Sequence, residues 1–226
     1  MNLAGIWILL LVLILVPGIV AQMRVRAAIR KYSQVRARSG RTGAEAAEEI
    51  LDGAGIHDVH IERTDSFLGD HYDPRTKTLV LSPAVYDSDS IAALGIAAHE
   101  SGHAIQHQHA YAPLQVRMAV VPVTMFTSQL LPLVIIGGFF FRITQFITLG
   151  IIIYTVIVFF QLITLPVEFN ASSRAKLILQ QSGLVTRDEM PGVRRVLNAA
   201  ALTYVAALIA AAAQLLQLIL LSRDRR

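Results

Sequence analysis

The chain contains no cysteine, which removes disulfide crosslinks, thiolate metal ligands, cysteine nucleophiles and thiol redox chemistry together. Charge is scarce as well: 16% of the 226 residues are charged and 54% hydrophobic, against roughly 25% charged in an average soluble domain. A soluble globule throughout is thereby excluded, and any chemistry must come from histidine, carboxylates or hydroxyls. The scarcity is uneven. Four stretches, Leu3–Ala21, Met118–Phe141, Ile143–Leu165 and Ala199–Leu221, hold no Lys, Arg, Asp or Glu. At about 1.5 Å per residue, each is long enough as a helix to cross a hydrocarbon core of about 30 Å.

What charge there is orders these stretches. Nothing basic precedes the first, no small-x-small cleavage site closes it, and Arg24, Arg26, Arg30 and Lys31 follow it directly. Residues 1–22 therefore read as an uncleaved N-terminal transmembrane anchor rather than a secretory signal. Eleven Lys/Arg fall in 23–117, one (Arg142) between the second and third stretches, five in 166–198 and three in the tail. Four spans put the two hydrophilic segments on one side with sixteen of the twenty positive charges, and the positive-inside rule makes that side cytoplasmic, in the cell (inner) membrane. The expected organisation is an anchor over 1–22, a small cytoplasmic domain over 23–117, and a transmembrane hairpin over 118–165. A second cytoplasmic helical segment over 166–198 and a last transmembrane helix with a basic tail over 199–226 complete it. The net charge of +4 resides next to membrane ends, where anionic lipid headgroups account for it. No basic stripe with interleaved aromatics marks a nucleic-acid surface, so the bilayer is an expected partner and nucleic acid is not.

Within 23–117, Thr42-Gly-Ala-Glu45 is a capping box opening a helix to about Asp52, stopped by Gly53 and Gly55. Val59-His60-Ile61 and Thr78-Leu79-Val80-Leu81 read as short strands, and Asp70-His-Tyr-Asp-Pro-Arg75 between them as a turn. Asp87-Ser-Asp-Ser90 caps a helix from about Ile91 to His107. The fold class expected is mostly α, a membrane protein with about four transmembrane helices and a small α+β domain. In 166–198, Thr186-Arg-Asp-Glu189 is another capping box and Pro166 is placed to open a helix.

The helix from Ile91 carries His99-Glu100-Ser101-Gly102-His103. Residues four apart share a helix face, so His99 and His103 can both aim an imidazole nitrogen at one ion about 2.1 Å away. Glu100 is turned about 100° from His99 and reaches a water on that ion rather than the ion itself, which makes it the candidate general base. His107 is four residues further on, but a third ligand at that spacing lies about 12 Å along the axis from the first, too far to wrap one ion. His107 is better placed beside the metal or in a cleft wall. A catalytic zinc needs a third protein ligand. Two spans return the chain to the same side, so Glu168 competes for this role with Glu62, Asp65, Asp70, Asp73 and Glu189. An acid in the first turn of a helix also has a plain electrostatic use against the helix dipole.

These residues together resemble the YugP-like family of membrane-bound neutral zinc metallopeptidases, and more distantly the HtpX-like membrane proteases. The likeness covers nearly the whole chain. It includes Asp70-His-Tyr-Asp-Pro-Arg-Thr-Lys-Thr-Leu-Val-Leu-Ser82, His99-Glu-Ser-Gly-His-Ala-Ile-Gln106, Pro166-Val-Glu-Phe-Asn-Ala-Ser-Ser-Arg-Ala175 and Val196-Leu-Asn-Ala-Ala-Ala-Leu-Thr-Tyr204. The HtpX-like proteases are gluzincins whose third ligand opens an E-x-x-A-D pattern after a transmembrane hairpin. The resemblance implies a zincin-like catalytic domain with one Zn2+ per chain, held by His99, His103 and Glu168. Glu168 and Ala171 match the pattern; Ser172 stands where those proteases carry Asp, so orienting a ligand imidazole passes to Asn170 or to a carboxylate elsewhere.

Two further roles are expected of any such site. His71 or Tyr72 is a candidate to donate a hydrogen bond to the developing oxyanion. Thr78, Leu79, Val80 and Leu81, just ahead of the metal helix, are the candidate edge strand for an extended substrate. The leading functional expectation is a membrane-anchored zinc endopeptidase acting on peptides or membrane-protein segments, with Glu100 as general base. Two alternatives stand beside it: a catalytically silent zinc-binding membrane scaffold, and a site-2-type intramembrane protease. The second requires the motif inside a full-length span, and the apolar run before His99 is only eight residues, Ile91–Ala98.

Overall fold

A computed structural model describes residues 3–65, 69–141 and 144–224. Arg142, Arg225 and Arg226, whose charges entered the topology argument, lie outside the described residues. The chain divides into two compact units, one made of Met1–Gln22, Gln115–Pro166 and Leu202–Arg226, the other of Met23–Leu114 and Val167–Ala201.

The first unit is helical. Among the described residues four helices are long and apolar enough to cross a membrane, over Gly5–Tyr32, Ala112–Val134, Gln145–Gln181 and Met190–Arg223. Their large side chains point outward, with Ile8, Phe126 and Leu133 each more than 60% exposed. Such surface is untenable in water and ordinary against lipid tails. The hydroxyls of Thr124, Thr127 and Thr155 donate back to carbonyls four residues earlier, so they add no unmet polar group to that surface.

The second unit is α+β. Helix α1 (Leu3–Tyr32) enters it from the first unit. Helix α2 (Gly43–Gly53) starts at the capping box: Thr42 Oγ1 accepts from the Glu45 amide and the Glu45 carboxylate accepts from the Thr42 amide. Strands β1 (His60–Arg63), β2 (His71–Asp73) and β3 (Thr78–Leu81) form one sheet in the order β1-β3-β2. β1 runs parallel to β3, pairing His60 with Thr78; β2 runs antiparallel, pairing Tyr72 with Leu79. A short helix, α3 (Pro83–Tyr86), leads to α4 (Ile91–Gln108), whose N-cap Ser90 accepts from the Ala93 amide. Leu79 and Leu81, fully buried on one sheet face, join Ile50, Leu51, Leu94, Ala97 and Ala98 in a continuous core.

Three expectations are corrected here. Asp70–Arg75 is not only a turn, because His71–Asp73 adds a third strand and the turn itself tightens to 74–77, with Lys77 at φ 52°. Thr78, Leu79, Val80 and Leu81 are not an edge strand: β3 is flanked on both sides, so its main-chain groups are already spent on β1 and β2. Pro166 does not open a helix. It lies inside α6 (Thr144–Gln181), which follows α5 (Ala112–Phe141) and runs unbroken for 38 residues. Proline removes one ladder hydrogen bond there, a loss that a long helix tolerates. The last helix, α7, likewise runs in one piece from Met190 to Asp224.

Candidate metal centre

The candidate site lies wholly in the second unit, where α4 meets the stretch of α6 beyond Pro166. The pairs His99–Ser172, Gly102–Ala171, His103–Glu168 and Gln106–Val167 show the two helices passing antiparallel. Two small residues set how close they come. A Cβ on Gly102 would lie 2.9 Å from the Ala171 carbonyl oxygen and 3.3 Å from its Cα, both backbone atoms with nowhere to move. Glycine is required at that position for the seam to close, and Ala171 and Ala175 across it are completely buried.

Closing the seam brings three donor atoms together. The ligand atoms of His99, His103 and Glu168 all lie within 4.8 Å of one another. Glu168 Oε2 is 3.2 Å from His99 Nε2 and 3.6 Å from His103 Nε2. Ligands of a tetrahedral zinc at about 2.0–2.1 Å stand roughly 3.4 Å apart, and the two Glu168–histidine distances bracket that value. Among the described residues no other group of three His, Asp or Glu comes so close. Glu168 is 2% exposed, and a carboxylate buried to that degree needs cationic or metal company.

Four of the five competing carboxylates are otherwise engaged. Asp70 Oδ1 accepts from the Ser82 amide and hydroxyl, and Asp73 Oδ1 from the Arg75 amide. Glu189 accepts from the amides of Arg38 and Thr186 and from the Thr186 hydroxyl. Asp65 pairs with Arg63.

Each ligand imidazole is gripped from behind. Ser172 Oγ lies 3.1 Å from His99 Nδ1, and Gln106 Oε1 lies 3.0 Å from His103 Nδ1. Neither partner is a carboxylate, and neither Gln106 nor Ser172 in this role was expected from the sequence. Only Gln106 carried a local signal, three residues after His103 on the same helix face; Ser172 reaches His99 from the other helix. Asn170 does not touch His99; its Oδ1 accepts from Gln106 Nε2 at 3.0 Å and from Arg174 Nε at 2.8 Å.

Electrostatics distinguish the groups. Burial pushes the Glu100 carboxyl above its ordinary range, only partly offset by the neighbouring His99 and His103. Burial lowers the His103 imidazole, but Glu168 and Glu100 beside it reverse this and hold it above the ordinary value. Tyr72 is pushed up to about 12 by burial and by Asp58 and Asp73, so its hydroxyl keeps its proton at any physiological pH.

Of the two oxyanion candidates, Tyr72 shares a sheet face with Leu79 and looks toward α4, where its hydroxyl lies 2.9 Å from His107 Nδ1. His71 points to the opposite face, its Nδ1 3.0 Å from the Gly69 carbonyl. His107 thus contacts β2 rather than the triad. A cavity of about 180 Å³ opens beside this pair, lined also by Asp58, Lys77, Ala104 and Gln108.

The chain is 48% identical over 206 residues to the "Putative membrane protease YugP" of Bacillus subtilis (strain 168), covering 91% of this chain and 92% of that protein. No solved structure matches it. Residues 6–223 match the family described as "Putative neutral zinc metallopeptidase", and the chain belongs to that family.

Proposed function

We propose that the protein is a membrane-anchored zinc endopeptidase of the HExxH...E gluzincin type, with one zinc per chain held by His99, His103 and Glu168. The observation that carries this reading is the closure of three donor atoms within 4.8 Å across the α4–α6 seam. A zinc bound there supplies a Lewis acid toward the scissile carbonyl and the attacking water. Glu100, adjacent in sequence to His99 and not among the three clustered donors, accepts the water's proton and returns it to the leaving amine. Its raised proton affinity suits both transfers. Tyr72, always protonated, is the candidate donor to the oxyanion.

The substrate is a peptide or a membrane-protein segment in extended form. With β3 enclosed, β1 and β2 are the edge strands among the described residues, and β2, which packs against α4, is the one placed to hold it by main-chain pairing. The active unit faces the cytoplasm in this reading, which the sixteen-to-four split of positive charge supports. A label on a cysteine introduced at Asp73 should react only after the cell membrane is opened; labelling of intact cells by an impermeant reagent overturns the orientation. A site-2-type mechanism finds no support, since α4 is 18 residues long and is not among the four helices apolar enough to span.

The deciding experiment compares wild type with Glu100→Gln for bound zinc and peptide cleavage. An endopeptidase keeps near-stoichiometric zinc in the variant and loses cleavage by on the order of a hundredfold or more. Cleavage surviving in Glu100→Gln would remove the general base. Zinc bound without cleavage by the wild type would leave the silent scaffold.

A further inference from the structure

Gln106 is completely buried, and its amide is saturated by identifiable partners. Its Nε2 donates to the Val167 carbonyl at 2.8 Å and to Asn170 Oδ1 at 3.0 Å. The Val167 contact settles which end of the amide is which, because a backbone carbonyl can only accept. The other end, the oxygen, therefore faces His103 Nδ1. An oxygen can only accept, so Nδ1 carries a hydrogen, and Nε2, 3.6 Å from Glu168 Oε2, is the nitrogen left to offer its lone pair to an ion. Asn170 is oriented in turn by Arg174: a guanidinium Nε–H never accepts, so Asn170 must present its oxygen.

His99 has no comparable device. Its Nδ1 meets the Ser172 hydroxyl, which can donate or accept and so accommodates either tautomer. The two ligand histidines are therefore held in different ways: one by a hydroxyl rotor, the other by a chain of three side chains with a permanent cation at its end.

We propose that Gln106 is a positioning residue that fixes the orientation and the Nε2-ligand tautomer of His103, and that Asn170 and Arg174 act on the metal site through it. This rests on the zinc reading above. It adds a path by which a half-buried arginine, not itself one of the clustered donor groups, governs how well the triad binds an ion. A mispositioned or wrongly protonated imidazole must be reorganised before it can bind, and loss of such outer partners costs about 10–100-fold in metal affinity.

The test is a zinc titration of the full-length protein in detergent against a chromophoric chelator, with the visible spectrum of the cobalt-substituted protein as a second readout. Gln106→Leu should weaken zinc about 10–100-fold and alter the cobalt bands. Arg174→Leu should weaken it less, and Arg174→Lys should recover part of the loss. Combining Gln106→Leu with Arg174→Leu should cost no more than Gln106→Leu alone, since one acts through the other. Wild-type zinc affinity in Gln106→Leu, or fully additive losses in the double variant, overturns the proposal. If Gln106→Leu does not fold, Arg174→Leu against Arg174→Lys decides: equal affinity and spectra in both, unchanged from wild type, likewise overturns it. A wild-type protein that binds no zinc is a different result and sinks the metallopeptidase reading itself.

Discussion

Helix α6 changes its logic halfway along. Before Pro166 it carries an outward apolar face, with Ile152, Phe159 and Leu162 all more than half exposed. After it, Val167, Glu168, Ala171, Ser172, Ala175 and Leu179 are all buried, two of them polar. One backbone, one 3.6-residue period and no break thus serve two solvents. In the first stretch lipid is the environment that side chains are selected for; in the second it is a packed protein seam in which every polar group has a partner. The comparison teaches that exposure has no fixed meaning along a helix of this kind, and that the polar residues worth questioning are those on the buried side of the second stretch.

Substitutions can break or sharpen that contrast. The largest effect is expected of Glu168→Gln, which removes an anionic ligand: zinc affinity should fall by more than the roughly 10–100-fold that an outer partner costs, with partial recovery of cleavage in excess zinc. Full zinc retained after dialysis against a moderate chelator would refute the ligand assignment. Next is Leu179→Ala, on the same buried face but away from the donors. It should destabilise the second unit by about 2–5 kcal/mol in a denaturant titration while leaving the zinc stoichiometry of the folded protein intact.

A pH series separates the site's groups. Burial raises the Glu100 carboxyl, and the base must be ionised to act, so kcat/KM should fall on the acid side with an apparent pKa above the ordinary glutamate value of about 4.3. An acid limb at or below that value contradicts the assignment. The smallest effect belongs to the first stretch of α6. Leu162→Ile exchanges one lipid-facing apolar side chain for another and should change thermal stability by no more than about 0.5 kcal/mol. A large loss would mean that this face is packed against protein.

Much of this was legible because the relevant signals are local. A helix cap, a ligand pair at four-residue spacing and a charge-free stretch each lie within one turn or one run, and Thr42, Ser90 and the His99–His103 pair stand where those signals put them. What escaped was decided by partners distant in sequence. His71–Asp73 is three residues of no particular β character, and it becomes a strand because β3 offers an edge. That same event encloses Thr78–Leu81, which alone read as exposed. Pro166 carries a strong local helix-start signal that the continuous helix overrides. Ser172 is an ordinary polar residue until α4 and α6 meet, as is Gln106 apart from its one-turn contact with His103, and the closeness of that meeting depends on Gly102, whose role no single-helix pattern displays.

The distance in sequence between the two halves of the triad also fixes when the site can exist. His99 and Glu168 are 69 residues apart, and most of the interval is the two apolar stretches. A ribosome adding about 5–20 residues per second needs several seconds to travel from one to the other. During that time the nascent chain displays both histidines and the candidate base but lacks the third donor. In a chain made in this order the third donor arrives last, so the donor set is incomplete until both apolar stretches have been synthesised.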